Sequence, residues 1–193
     1  LASFYFVGKR IEKWNTTSIC TILIGTIVAI SLSFITPASE NSNLFFVFIC
    51  GIIGISGMIL PGLSGSFILI LMGNYELLMV TAVTDLNAIL LATFFIGSAV
   101  GLMSFSHILS WVLKHYKDAT LALLTGFILG SLRIIWPWKE VTKSVILNGK
   151  EKVLEYDWYF PPTMNQETLL ACIAILLGIV IVYGLEKYSL KKN

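Results

Sequence analysis

Apolar residues run almost unbroken at 18–36, 87–113, 119–135 and 168–186, with short polar stretches between them, and a further apolar stretch at 44–84 is interrupted by small and polar residues. A helix needs about 20 apolar residues to cross a bilayer. The four continuous runs therefore predict four spanning helices, 119–135 being the shortest. The interrupted stretch predicts a broken hairpin. At its centre, in GIIGISGMILPGLSGSFILILMGNYE at 51–76, proline lacks the helical N–H and clashes with the preceding turn, so Pro61-Gly62 divides the segment into two half-helices. Inside a membrane the backbone freed by such a break must be satisfied by protein, water or a ligand, which makes it the first place to look for function. The expected fold class is all-α: a polytopic helical membrane protein, a single transmembrane domain over 1–193, with a re-entrant hairpin at about 44–84 and an extracytoplasmic loop at about 136–167.

Inside that loop the pattern changes. Residues 141–150 read as a short strand running into an Asn148-Gly149 turn, with a second strand at 151–156, which predicts a small β-hairpin. Asp157, Trp158, Tyr159, Phe160, Pro161 and Pro162 then predict an aromatic belt and a rigid entry to the last helix. Charge selects the topology. Lys9, Arg10 and Lys13 precede the first span, Lys114 and Lys117 follow the 87–113 run, and Lys187, Lys191 and Lys192 follow the last. If the broken hairpin dips in and returns, all three clusters fall on one face, which the positive-inside rule makes cytoplasmic; a full crossing would separate the first from the others. The 136–167 loop, with Lys139, Lys143, Lys150 and Lys152 balanced by five acids, lies opposite.

Composition agrees, at 56% hydrophobic, 12% charged and a mean hydropathy of +0.86. A net charge of +2 argues against nucleic acid as a partner. Cys20, Cys50 and Cys172 sit within apolar runs without metal or disulfide spacing, and His107 and His115 lack further ligands, so no metal or cofactor is expected. No nucleophile–base pair is visible either, which sets enzymes aside.

Three clusters carry the candidate chemistry. Leu63-Ser64-Gly65-Ser66 opens the second half-helix, where unpaired N–H groups attract anions; Ser64 and Ser66 can cap it or donate to phosphate or carboxylate oxygens, and Gly62 and Gly65 let backbone approach closely. Transporters use discontinuous helices in this way, while the plainer role of these residues is capping and helix packing. Asn74, Tyr75 and Glu76 close the hairpin, with Asp85 and Asn87 beyond. Glu76 is a candidate to accept a coupling proton or cation, or else an interfacial carboxylate. Third, Gly126 and Gly130 are spaced as GxxxG, a close-packing face for another helix that is also compatible with a homo-oligomer. They precede Arg133, Trp136, Pro137, Trp138 and Lys139, which read either as a snorkelling arginine with aromatic anchors or as a lipid-phosphate site built on a planar donor fork.

Pro61-Gly62-Leu63-Ser64-Gly65-Ser66 with Gly73-Asn74-Tyr75-Glu76, followed by Thr125-Gly126 through Gly130-Ser131-Leu132-Arg133 into Trp136-Pro137-Trp138-Lys139, resembles the undecaprenyl phosphate translocase family, also called PopT and long listed as a domain of unknown function. The resemblance spans most of the chain and rests on both motifs in this order. It implies a multi-pass protein of the bacterial cytoplasmic membrane that returns the carrier lipid undecaprenyl phosphate from the outer to the inner leaflet. By that resemblance the substrate-binding residues are Pro61, Gly62, Ser64, Gly65, Ser66, Asn74, Glu76, Arg133, Trp136, Trp138 and Lys139. In that reading Ser64, Gly65 and Ser66 hold the phosphate at depth and Arg133 and Lys139 capture it near the outer surface. The family carries an earlier Pro-Gly-x-Ser-Gly-Gly motif that this chain lacks, and with Leu1 in first position the expectation is a C-terminal part of a longer protein. Two other readings stand beside it: an ion-coupled small-anion or solute transporter, and a membrane assembly subunit that transports nothing.

Overall fold

The computed structural model of the protein describes residues 2–147, 150–159, 161 and 165–192. In chain order its helices are α1 (Ala2–Lys9), α2 (Thr16–Leu32), α3 (Leu44–Ile59), α4 (Gly65–Leu71), α5 (Ala82–Thr84), α6 (Ala88–His115), α7 (Lys117–Ile135) and α8 (Gln166–Lys192). A π-helical turn at Leu77–Thr81 leads into α5, and β1 (Lys139–Leu147) and β2 (Lys150–Trp158) lie between α7 and α8. The fold is all-α with one small sheet, as expected. It divides into two compact units, 10–134 and a second made of 1–9 with 135–193.

Among the described residues three helices, α6, α7 and α8, are long and apolar enough to cross a membrane. The expectation of four needs correcting at the first. α2 stops at Leu32 after 17 residues, about 26 Å of rise against a hydrocarbon core of about 30 Å. The amides of Ser33, Phe34 and Ile35 turn back to the carbonyls three residues earlier, at Ile30, Ser31 and Leu32, and Pro37 bars any continuation. α2 is thus shorter than α7, which begins at Lys117. The short α1 had no counterpart among the expected elements.

The larger unit is built on two helix pairs that meet backbone to backbone. Gly51 of α3 lies on the Phe94 carbonyl of α6, Gly97 lies on the Phe48 carbonyl, and Gly101 faces Ile52. In the second pair Gly25 of α2 lies on the Leu123 carbonyl of α7, Gly126 on the Ile22 carbonyl, and Gly130 against Thr26 and Ala29. Thr26 adds a hydroxyl bond of 3.2 Å to the Gly126 carbonyl. In lipid, where hydrophobic burial drives little helix association, such close approach supplies the dispersion contacts. The GxxxG face of α7 therefore has its partner in α2. Contacting numbers rise together in each pair, so both pairs are parallel.

α4 folds back on α3, Gly54 meeting Leu69 and Gly57 meeting Ile68. The hairpin ends where it began: the Ala38 amide donates to the Leu71 carbonyl at 2.9 Å, and the Asn41 amide to the Asn74 side chain at 2.9 Å. Val47, Cys50, Leu69 and Leu78 form the core between the hairpin and α6. At the far end of α6 the Glu12 amide bonds Asp118 at 3.0 Å and its carboxylate pairs with Lys117. The Arg10–Lys13 and Lys114–Lys117 clusters consequently share one end of this unit.

In the smaller unit β1 and β2 pair antiparallel from Lys139 opposite Trp158 to Leu147 opposite Lys150, with irregular register on both sides of Lys143. The two strands agree with the expectation, and the predicted Asn148-Gly149 turn, Phe160 and Pro162 lie outside the described residues. The Phe6 ring of α1 lies 5.9 Å from that of Tyr183 on α8. Elsewhere α8 leaves Leu176, Val180 and Ile181 exposed, a surface suited to lipid.

Candidate functional site

Helix α3 ends because Leu60 turns extended, at ψ 123°, ahead of Pro61, and Gly62 takes a φ of +94°, open to glycine at little cost. A second constraint acts on Gly62. A Cβ there would come within 2.8 Å of both the Phe127 carbonyl and the Ser131 hydroxyl, so the tip of the hairpin is seated on the second half of α7. Buried Ser131 directs its hydroxyl to the Ile128 carbonyl at 2.9 Å. The break therefore lies against the side of α7, short of its end.

Ser64 restarts the chain as the N-cap of α4, accepting a 3.1 Å bond from the Phe67 amide, and its hydroxyl lies 3.3 Å from that of Ser66. Both serines are exposed, and Pro61 is half-buried beside them. α4 has only seven residues and one of its first amides is already capped, so the exposed hydroxyl pair is the main polar feature of the tip. Gly65 serves packing: a Cβ would lie 2.8 Å from the Gly54 carbonyl of α3.

Asn74 and Glu76 are not gathered with the serines. They lie at the other end of α4, roughly 10 Å of helical rise away. Asn74 is completely buried, with its side-chain oxygen accepting from the Asn41 amide at 2.9 Å and its side-chain nitrogen donating to the Asn41 carbonyl at 2.8 Å. Both ends of the amide are thereby committed to a structural clamp. Gly73 beside it, at φ +77°, lies on the Ala38 carbonyl. Glu76 is exposed where the π-helical turn begins. Asp85 is exposed, and Asn87 caps α6 by accepting from the Leu90 amide at 3.2 Å.

Helical periodicity separates the faces of α7. Phe127 and Ser131 meet the hairpin tip, whereas Gly126, Gly130 and Arg133 lie toward α2. The Arg133 guanidinium sits 4.6 Å above the ring of Phe34, in the turn that ends α2. Trp136, Trp138 and Lys139 belong to the smaller unit. There the two indoles meet edge-on at 5.4 Å, and the Trp136 N–H donates to the Tyr159 carbonyl at 3.2 Å. The Tyr159 amide in turn bonds the Trp138 carbonyl at 3.2 Å, and exposed Lys139 opens β1. Among the described residues no group of three or more His, Cys, Asp or Glu side chains could hold a metal ion.

Three residues with work to do at these places escaped the sequence reading: Phe34, Asn41 and, in any specific role, Ser131. The polar run Pro37–Asn43 between two apolar stretches was the available signal for Asn41. None marked Phe34, one apolar residue among many.

The family description "Undecaprenyl phosphate translocase-like" matches residues 1–153. A polyprenyl-phosphate transporter of Vibrio cholerae serotype O1 is 36% identical over 99% of this chain and 64% of its own length. One of Staphylococcus aureus is 42% identical over 53% of this chain and 38% of its own length. The chain thus spans less than two thirds of either relative. No solved structure matches it.

Proposed function

The chain belongs to the undecaprenyl phosphate translocase-like family, and from that premise we propose that it moves undecaprenyl phosphate from the outer to the inner leaflet of the bacterial cytoplasmic membrane. Related proteins carry the name polyprenyl-phosphate transporter, which supports that substrate class. A phosphate dragged unpaired through hydrocarbon meets a prohibitive desolvation cost, so a carrier must offer donors at depth while the isoprenoid tail stays in lipid.

The observation that carries the reading is the break itself: an irregular 61–64 stretch whose Gly62 is seated on α7, with two exposed hydroxyls at its edge. Ser64, Ser66 and the backbone at Gly65 receive the phosphate there, and Pro61 and Gly62 hold the loop open. Arg133 offers its donor fork separately, from the α2 face of α7, and within the smaller unit Lys139 and the Trp136–Trp138 pair form a capture zone of their own. Asn74 supports this from a distance by closing the hairpin. Glu76, exposed at the hairpin's open end, couples transport to a proton or cation. The hairpin's return and the Glu12 contacts with Lys117 and Asp118 support a multi-pass topology in which the Arg10–Lys13 and Lys114–Lys117 clusters share a cytoplasmic face.

Binding of undecaprenyl phosphate, neutral undecaprenol and inorganic phosphate to the purified protein, followed in parallel by native mass spectrometry or thermal shift, tests this. Stabilisation by the phosphorylated lipid alone is the expected result. The exposed serine pair would serve a small anion as well, and stabilisation by inorganic phosphate would favour a solute transporter instead. No response to any of the three would favour an assembly subunit.

A further inference from the structure

We infer that the second half of α6, which ends in the basic Lys114–Lys117 cluster, carries a binding site for an acidic glycerophospholipid, built from Ser104, His107, Trp111, Lys114 and His115. The site does not depend on which lipid the protein carries across the membrane.

One exposed face of α6 changes character part-way along the helix. Spacings of 7 and 4 place Ile89, Ile96 and Val100 on it, all exposed and apolar, as lipid demands. The same face continues through Ser104, His107, Trp111 and Lys114, spaced 3, 4 and 3, all exposed and all able to donate hydrogen bonds. Lys114 and His115 lie in the last turn, where cations suit the helix dipole without further reason. His107 and Ser104 lie about two and three turns deeper, where a polar side chain needs a partner. Thr93 and Ser98, on the same helix, turn their hydroxyls back onto the carbonyls of Ile89 and Phe94, at 2.8 and 2.9 Å. Among the described residues Ser104, His107 and Lys114 have no hydrogen-bond or ion-pair partner, so an acceptor from outside the chain must supply one.

Charge complementarity makes that acceptor an anion. α6 holds no Asp or Glu, and the Glu12 carboxylate at its basic end is already paired with Lys117. His115 stacks on Trp111 with 4.7 Å between ring centroids, and its Nδ1 donates to the Trp111 carbonyl at 2.9 Å, which holds both rings beside Lys114. Depth then selects the lipid. A glycerophospholipid whose phosphate sits at Lys114 and Trp111 carries ester carbonyls beneath it, acceptors for His107 and Ser104. A polyprenyl phosphate has only hydrocarbon at that level.

The test follows retention of phosphatidylglycerol and phosphatidylcholine by the purified protein in native mass spectrometry. The parent should retain phosphatidylglycerol in preference. Lys114→Gln should weaken that retention about fivefold, Ser104→Ala with His107→Leu should weaken it severalfold, and Lys114→Arg should recover it, all with unchanged melting temperatures at these exposed positions. Lys13→Gln, a charge removed at the same end but off this face, should retain the lipid as the parent does. Retention by Lys114→Gln at the parent's level overturns the inference, as does an equal loss in Lys13→Gln, which marks diffuse surface charge. An altered oligomeric state in the variants also overturns it, by making the face a contact between copies. Undecaprenyl phosphate is added as a competitor. Its failure to displace phosphatidylglycerol is expected whether or not it binds elsewhere, and displacement that depends on Lys114 would hand the site to the carrier lipid and sink the phospholipid assignment.

Discussion

The two turns of the α3–α4 hairpin read alike in sequence, each pairing glycine with small polar residues, yet their polar groups end in opposite circumstances. At the closing turn Gly73 and Asn74 are consumed by the protein: one lies on the Ala38 carbonyl, and the other is buried with both ends of its amide bonded to Asn41. At the tip Gly62 is equally committed, seated on Phe127 and Ser131, but Ser64 and Ser66 keep exposed hydroxyls 3.3 Å apart. A polar group in a membrane hairpin has to be satisfied by something. Where the chain supplies the partner the group is architecture, and where it leaves the group exposed a ligand or water must supply it.

The sharpest break of that contrast is Gly73→Ala, which forces a side chain into positive φ and onto the Ala38 carbonyl, for an expected loss of roughly 3 kcal/mol in thermal unfolding. Asn74→Ala removes two hydrogen bonds from the clamp and should cost about 2 kcal/mol. Neither should alter the preference for undecaprenyl phosphate over undecaprenol in whatever folded protein remains. A changed preference would move the closing turn into the site. At the tip, Ser64→Ala loses the cap on Phe67 and should cost about 1 kcal/mol along with part of the phosphate-lipid affinity. Ser66→Ala leaves the cap intact, so its melting temperature should hold while affinity for the phosphorylated lipid falls severalfold. Equal affinity would reduce the serine pair to capping. The smallest effect on stability belongs to Glu76→Gln, at an exposed position. It should leave folding and binding unchanged and flatten the pH dependence of transport measured in vesicles, and an unaltered pH profile would remove Glu76 from coupling.

Much of the architecture was legible because hydrocarbon imposes it, in apolar runs of helical length and a proline that cannot continue a helix, and the strand patterning at 141–156 was legible from its turn signal. The break at Pro61-Gly62 and the hairpin that returns belong to this class. The premature end of α2 was less visible, since residues 33–36 are apolar enough to continue a helix and only hydrogen bonds drawn back by three residues show that they do not. The site was legible as a set of residue types but not as a grouping. In the linear pattern Ser64 and Ser66 read as a phosphate site at depth and Arg133 as a capture point nearer the surface, with nothing to say which way each faced. Yet Arg133 lies on the α2 face of α7, two residues and about 200° around the helix from Ser131, which meets the tip.

What the chain's linear pattern settled is its solvent and its breaks, because the cost of exposing backbone or charge to lipid is large and acts residue by residue. What only the tertiary structure decided is which polar groups are spent. Asn74 and Ser66 differ little as isolated residues, and nothing local distinguishes a clamp from a candidate donor. That depends on whether a carbonyl from Asn41, thirty-three positions away, arrives to meet it, and on whether a phenylalanine from the end of another helix slides beneath an arginine. Such partners are chosen by the packing of glycine-faced helices against one another, where a single methyl group would hold the backbones apart.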